Sequence, residues 1–147
     1  MTFEPVTEIW QVTAREAIRD LVTRYNANGD TGRFAQVREL FLPDAVMTIQ
    51  GEEHRGIDRI MDIFTGTTQA TPGLTHVRHF VATHQIDLVD EHHATGRAYF
   101  AVLTDIGLDH WGRYVDDYRR VEGRWLFASR AVTLDGQVDG SLFPRTV

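Results

Sequence analysis

The sequence predicts an α+β fold, with helices packed against one face of a long, mostly antiparallel sheet. Three observations predict it. Apolar residues recur at helical spacing in three stretches of the first 67 residues. From Thr75 onward the pattern changes to long, loosely alternating runs. Short turns divide those runs, so the helices come first and a meander of strands follows.

Residues 7–28 read as the first helix. Trp10, Ala14, Ala17, Ile18, Leu21, Val22 and Tyr25 fall on one stripe, with Glu8, Arg15, Arg19 and Arg24 off it. Asn28-Gly29-Asp30 ends it, because Asn and Gly tolerate the left-handed conformation at a helix C-terminus. Asp30 or Thr31 can cap a second helix over 32–41, with Phe34, Val37, Leu40 and Phe41 inward. Leu42-Pro43-Asp44 stops it. Ala45–Ile49 is a short strand, and Gly51-Glu52-Glu53 a turn. A third helix over 57–67 turns Ile57, Ile60, Met61 and Phe64 to one face. Thr71-Pro72-Gly73 breaks the pattern. Strands follow at 75–89, 94–104, 110–121 and 124–134, with turns at Asp90–His93 and Glu122-Gly123. Strands this long imply a strongly curved sheet and a pocket between it and the helices.

The composition removes whole chemistries. The 147 residues contain neither Cys nor Lys. Thiolate nucleophiles, disulfides, Cys-ligated metals, Schiff bases and a Walker lysine are therefore excluded. Ser occurs only at Ser129 and Ser141. Catalysis must rest on His, Asp, Glu, Tyr or Arg. No glycine-rich dinucleotide loop, P-loop, G-x-S-x-G or H-E-x-x-H occurs, so no cofactor is expected. A net charge of −6 argues against nucleic acid. No run approaches 18 apolar residues, so no membrane span is expected. Met1–Val6 lacks the basic and apolar regions of a signal peptide, and a cytoplasmic protein of one domain, 1–147, is expected.

Two residues stand out. His79 sits in an apolar strand between Val77 and Val81 on its own face. A satisfied core histidine is the plainer reading, and acid–base work would need a carboxylate that the local sequence does not supply. Asp30 follows the first helix, where capping is the plainer role. His76 and His79 form an H-x-x-H, but on one strand such residues point to opposite faces, so no metal site is expected. His84 and His110 lie in strands without an obvious partner nearby in sequence. Asp116 and Asp117, amid Tyr114, Tyr118 and Arg119, read as cross-strand charge pairs.

The assembled pattern resembles the SnoaL-like group of the nuclear transport factor 2-like superfamily. The residues that carry it are Ala17-Ile18-Arg19-Asp20-Leu21 through Tyr25 and Asp30, Leu40 through Val46, Gly56, Arg78-His79-Phe80, Ala94-Thr95-Gly96-Arg97, and Gly112-Arg113-Tyr114 through Phe127. It covers residues 8–134. It implies a cone-shaped fold whose curved sheet and three N-terminal-half helices enclose a pocket. Within the group the chain is most similar to the branch of scytalone dehydratase, the bile-acid 7α-dehydratases and hexachlorocyclohexane dehydrochlorinase. Those enzymes use an Asp–His pair at the positions of Asp30 and His79. The bile-acid enzymes place a Tyr at the position of Tyr25. A second pocket His of scytalone dehydratase has no match, since that strand offers Val102–Thr104.

The resemblance implies a cofactor-independent lyase or isomerase of dehydratase-like type, acting on a small, largely apolar molecule with a few oxygens. His79 would be the base, Asp30 would hold its ring, and Tyr25 would donate to developing negative charge. Tyr114 is a second candidate donor, and Arg78 or Arg130 a candidate anchor for an anionic group. A homo-oligomer, dimer or trimer, is implied by analogy. The alternative is a non-catalytic binding or assembly module of the same fold, with Asp30 capping and His79 buried.

Overall fold

The structure, a computed structural model, describes residues 5–66 and 71–144. The expected α+β cone is borne out. The elements run α1 (Ile9–Gly29), α2 (Phe34–Arg38), β1 (Phe41–Ile49), β2 (Glu52–Arg55), α3 (Ile57–Gly66), β3 (Arg78–Asp90), β4 (His93–Thr104), β5 (Gly107–Val121) and β6 (Arg124–Gln137). The sheet has the strand order β2-β1-β6-β5-β4-β3. All pairs are antiparallel except β1 with β6. No described helix is long and apolar enough to cross a membrane.

The apolar stripe of α1 does what its spacing predicts. Ala14, Ile18, Leu21, Val22 and Tyr25 are buried against the sheet, although Ala17 is exposed. Ile60 and Met61 of α3 close the other side. Each fully buried aliphatic chain such as Ile18 or Ile60 contributes roughly 1.5–3 kcal/mol by leaving water.

Four local expectations need correction. The second helix is shorter than 32–41, because residues 39–41 turn into the sheet. Phe127 N–H donates to Leu40 O (2.8 Å), and Phe41 pairs with Phe127. Leu42-Pro43-Asp44 lies within β1, where the register shifts between Phe41 and Val46, a place that tolerates a residue without an N–H. The turn is Gln50-Gly51, both at positive φ, and Glu52-Glu53 opens β2. Nor does Asp30 or Thr31 cap α2; its N-cap is Arg33, with no side-chain capping bond. Position 67, expected to end the third helix, lies outside the described residues.

Bulges bend the sheet. In β3, Thr83 adopts φ 54° where the register with β4 shifts between Ala82 and Gln85. In β5, Val102 faces His110 while Leu103 faces Leu108, which leaves Asp109 as an extra residue. The second bulge shapes the site.

Candidate functional site

The helices and the inner sheet face enclose a cavity of about 620 Å³. Its walls are mostly apolar, including Phe34, Met47, Ile63, Phe64, Phe100, Val132 and Leu134. Such a lining with a few converging polar groups is the usual make-up of a small-molecule site.

Asp30 and His79 meet there. Asp30 Oδ1 lies 2.6 Å from His79 Nδ1, and Asp30 Oδ2 accepts the backbone N–H of His79 at 2.7 Å. Their side chains are 9% and 24% exposed, so the carboxylate is shielded while the ring reaches the cavity. The carboxylate fixes the tautomer with a proton on Nδ1 and leaves Nε2 as the other working nitrogen. Sequence spacing could not join residues 49 positions apart; α1 and β3 pack together and do so.

Tyr25 and Tyr114 also line the cavity. Both are buried, and burial, against the opposing pull of Arg130, pushes both hydroxyls above the ordinary tyrosine value. Both therefore remain protonated donors. Tyr114 OH donates to Asn26 Oδ1 at 3.3 Å.

Neither candidate arginine lines the cavity. Arg78 is exposed, because it precedes His79 on the strand and faces the other way, and its guanidinium donates to Val77 O. Arg130 is fully buried. It donates twice to Asp116, from Nε and Nη2, each at 2.8 Å. Its guanidinium carbon lies 4.3 Å from the Tyr25 ring centroid and 3.7 Å from that of Tyr114. Burial disfavours its charge, yet Asp116 overcomes this and raises its pKa. Arg130 is thus a brace behind the tyrosines rather than an anion anchor. The expected cross-strand charge pairing holds for Asp116, whose register partner is Arg130. It holds for Asp117 too, which binds His93 across the β4–β5 pair as well as its strand neighbour Arg119.

The sequence reading missed His110. It lines the cavity, and its partner is its own neighbour, with Asp109 Oδ1 2.7 Å from His110 Nδ1. In a regular strand these two side chains would diverge. The bulge at Asp109 turns both inward, leaving Asp109 fully buried and His110 at 9% exposure. The Asp-His dipeptide was the available signal, but without the bulge it means nothing. Register puts His79, Val102 and His110 in one row across β3, β4 and β5. Strands two apart are separated by roughly 10 Å. The two ring centroids are only 6.5 Å apart, so the imidazoles lean together over the small Val102. Burial pulls the His110 pKa below the ordinary value although Asp109 opposes this, and the neutral ring follows.

His76 lines the cavity too, since it precedes β3 and the opposite-face argument does not apply to it. Among the described residues no group of three or more His, Asp or Glu side chains is placed to hold a metal.

This cavity and fold define a class before any comparison: a cone-shaped α+β protein with carboxylate–imidazole pairs in an apolar pocket. The comparisons agree on the fold. The SnoaL-like domain family matches residues 10–131, and the chain belongs to that family. A search of curated proteins finds no significant match. Among solved structures, the chain is similar to a scytalone dehydratase-type protein from Novosphingobium aromaticivorans DSM 12444. They share 19% identity, 92% of each chain is covered, and the TM-score is 0.79. It is also similar to LinA-type3 hexachlorocyclohexane dehydrochlorinase from Novosphingobium barchaimii LL02, at 17% identity, 95% and 99% coverage and TM-score 0.75. A third is a beta subunit of aromatic-ring-hydroxylating dioxygenase type from N. aromaticivorans, at 22% identity, 89% and 94% coverage and TM-score 0.71. At these identities the likeness shows the fold alone.

Proposed function

We propose that the protein is a lyase or isomerase that removes a proton from an apolar, oxygen-bearing small molecule without a cofactor. The observation that carries this reading is the Asp30–His79 pair, at 2.6 Å, opening onto a cavity of about 620 Å³. A buried helix cap or a satisfied core histidine needs no such cavity.

In an elimination, His79 Nε2 takes a proton from carbon. The C–H electron pair becomes the new double bond, and the leaving group departs from the neighbouring carbon with its own pair. Asp30 holds the ring and stabilises the imidazolium that forms. Tyr25 donates to the oxygen on which charge develops. Neutral His110, with its Nδ1–H given to Asp109, offers Nε2 as an acceptor for a substrate hydroxyl. In an isomerisation the same base would return the proton to another carbon. The dehydratase and dehydrochlorinase likenesses favour elimination. The exposed row Phe80, Tyr99, Leu103, Trp111 and Val115 on the outer sheet face fits a second copy of the chain, which sedimentation would detect.

The test is a panel of uncharged β-hydroxyketones and halogenated alicyclic compounds, followed by absorbance of the new alkene or by halide release. His79→Ala should abolish turnover, and Asp30→Asn should lower it by about 10²–10⁴-fold. Undiminished activity in either would exclude the pair as the proton-transfer device.

A further inference from the structure

Residues 138–144 leave β6, turn back, and add Phe143 and Pro144 to the cavity wall. The Phe143 ring packs on His110 with centroids 4.8 Å apart. Among the described residues, backbone bonds tie only the start of this segment: Val138 N–H donates to Asp109 O at 3.0 Å, and Ser141 N–H to Val138 O at 3.1 Å. Two side chains hold its far end. Gln137 Nε2 donates to Ser141 Oγ at 2.8 Å and to Phe143 O at 3.1 Å. The buried Asp109 carboxylate takes the rest.

Among the described residues that carboxylate has four donors. Oδ1 is shared by His110 Nδ1 at 2.7 Å and Ser141 Oγ at 2.5 Å. Oδ2 is shared by Thr104 Oγ1 at 3.1 Å and Leu142 N–H at 2.9 Å. Two donors thus belong to the sheet and two to the 138–144 segment. We propose that this segment is a lid over the cavity and that Asp109 is the positioning residue coupling its closure to His110. The inference rests on the reading of His110 as a functional group of that cavity.

The coupling has a definite sign. With the lid down, Ser141 and Leu142 disperse the carboxylate charge, and Phe143 shields the imidazole from water. Both effects disfavour the imidazolium, so His110 stays neutral with Nε2 free for a ligand. With the lid raised, Asp109 loses two of its four donors and its charge acts more strongly on His110. Water also reaches the ring. Both changes favour protonation. The other titratable groups facing His110 are few. His79 stands opposite on β3 with Asp30, at the C-terminal cap of α1, behind it, and His76 lies further along the same cavity. Their arrangement does not depend on Ser141.

The experiment is NMR on the full chain and on two variants, Ser141→Ala and Asp109→Asn. It reads amide exchange at Leu142 and the titration of the His110 ring. Ser141→Ala should speed Leu142 exchange about tenfold, the size expected for one lost hydrogen bond. It should also raise the His110 midpoint. Asp109→Asn should speed exchange further but lower the midpoint, because the countercharge is gone. Unchanged exchange in Ser141→Ala overturns the lid. Faster exchange with an unmoved His110 midpoint overturns the coupling. If Asp109→Asn does not fold, Ser141→Ala decides alone. Neither readout involves turnover, so a failure here is distinguishable from a failure of the elimination chemistry.

Discussion

Asp30 grips His79 at two points, accepting the backbone N–H with one carboxylate oxygen and the ring Nδ1 with the other. The double contact fixes the ring relative to its own strand. It also separates two roles that substitution can test. In Asp30→Asn the amide oxygen can keep one contact, but the negative charge that stabilises an imidazolium is lost. We expect the variant to remain folded by circular dichroism while kcat for any eliminated substrate falls about 10²–10⁴-fold.

The buried Arg130–Asp116 pair predicts a stability effect of a different size. Arg130→Met leaves Asp116, 3% exposed, with Tyr118 OH at 2.8 Å but no countercharge. Unfolding in urea should show a loss of about 3–5 kcal/mol. The double variant with Asp116→Leu should lose less, since no unpaired charge remains.

Acid should destabilise the fold in two stages. Burial holds the pKa values of His84 and His110 below the ordinary histidine value, with Asp116 and Asp109 respectively opposing it. The unfolded chain therefore takes up protons at these rings before the folded chain does. Stability is complete above the unfolded value of about 6.5 and falls as pH drops towards the folded values. At lower pH, Asp105, drawn down to about 2 by hydrogen bonds from Thr75, adds a loss as it is protonated. Urea midpoints measured from pH 7.5 down to 5 should decline, and His84→Gln with His110→Gln should flatten that decline.

Gly112 predicts a steric failure. A Cβ there would lie 2.0 Å from Thr133 O and 2.8 Å from the Phe100 ring. Neither the β5–β6 ladder nor the cavity wall can give way that far. Gly112→Ala should cost at least the roughly 1–3 kcal/mol of an overpacked core, seen as a lowered thermal midpoint.

Much of this was legible in the chain. The helix periodicities placed α1 and α3 within a residue or two, because amphipathic spacing is a local property that burial simply obeys. The strand runs and the Glu122-Gly123 turn were legible for the same reason. The absence of Lys and Cys, with Ser at only two positions, confined the chemistry to His, Asp, Glu, Tyr and Arg. Family resemblance, not spacing, joined Asp30 to His79, and the fold then set them 2.6 Å apart. What tertiary structure alone decided was which polar side chains face the cavity. One extra residue at Asp109 turns an Asp-His dipeptide from a divergent pair into a second carboxylate–imidazole unit. Cross-strand register sends Arg130 to Asp116 and away from the cavity. Bulges and register depend on pairing with distant strands, so no window of sequence contains them.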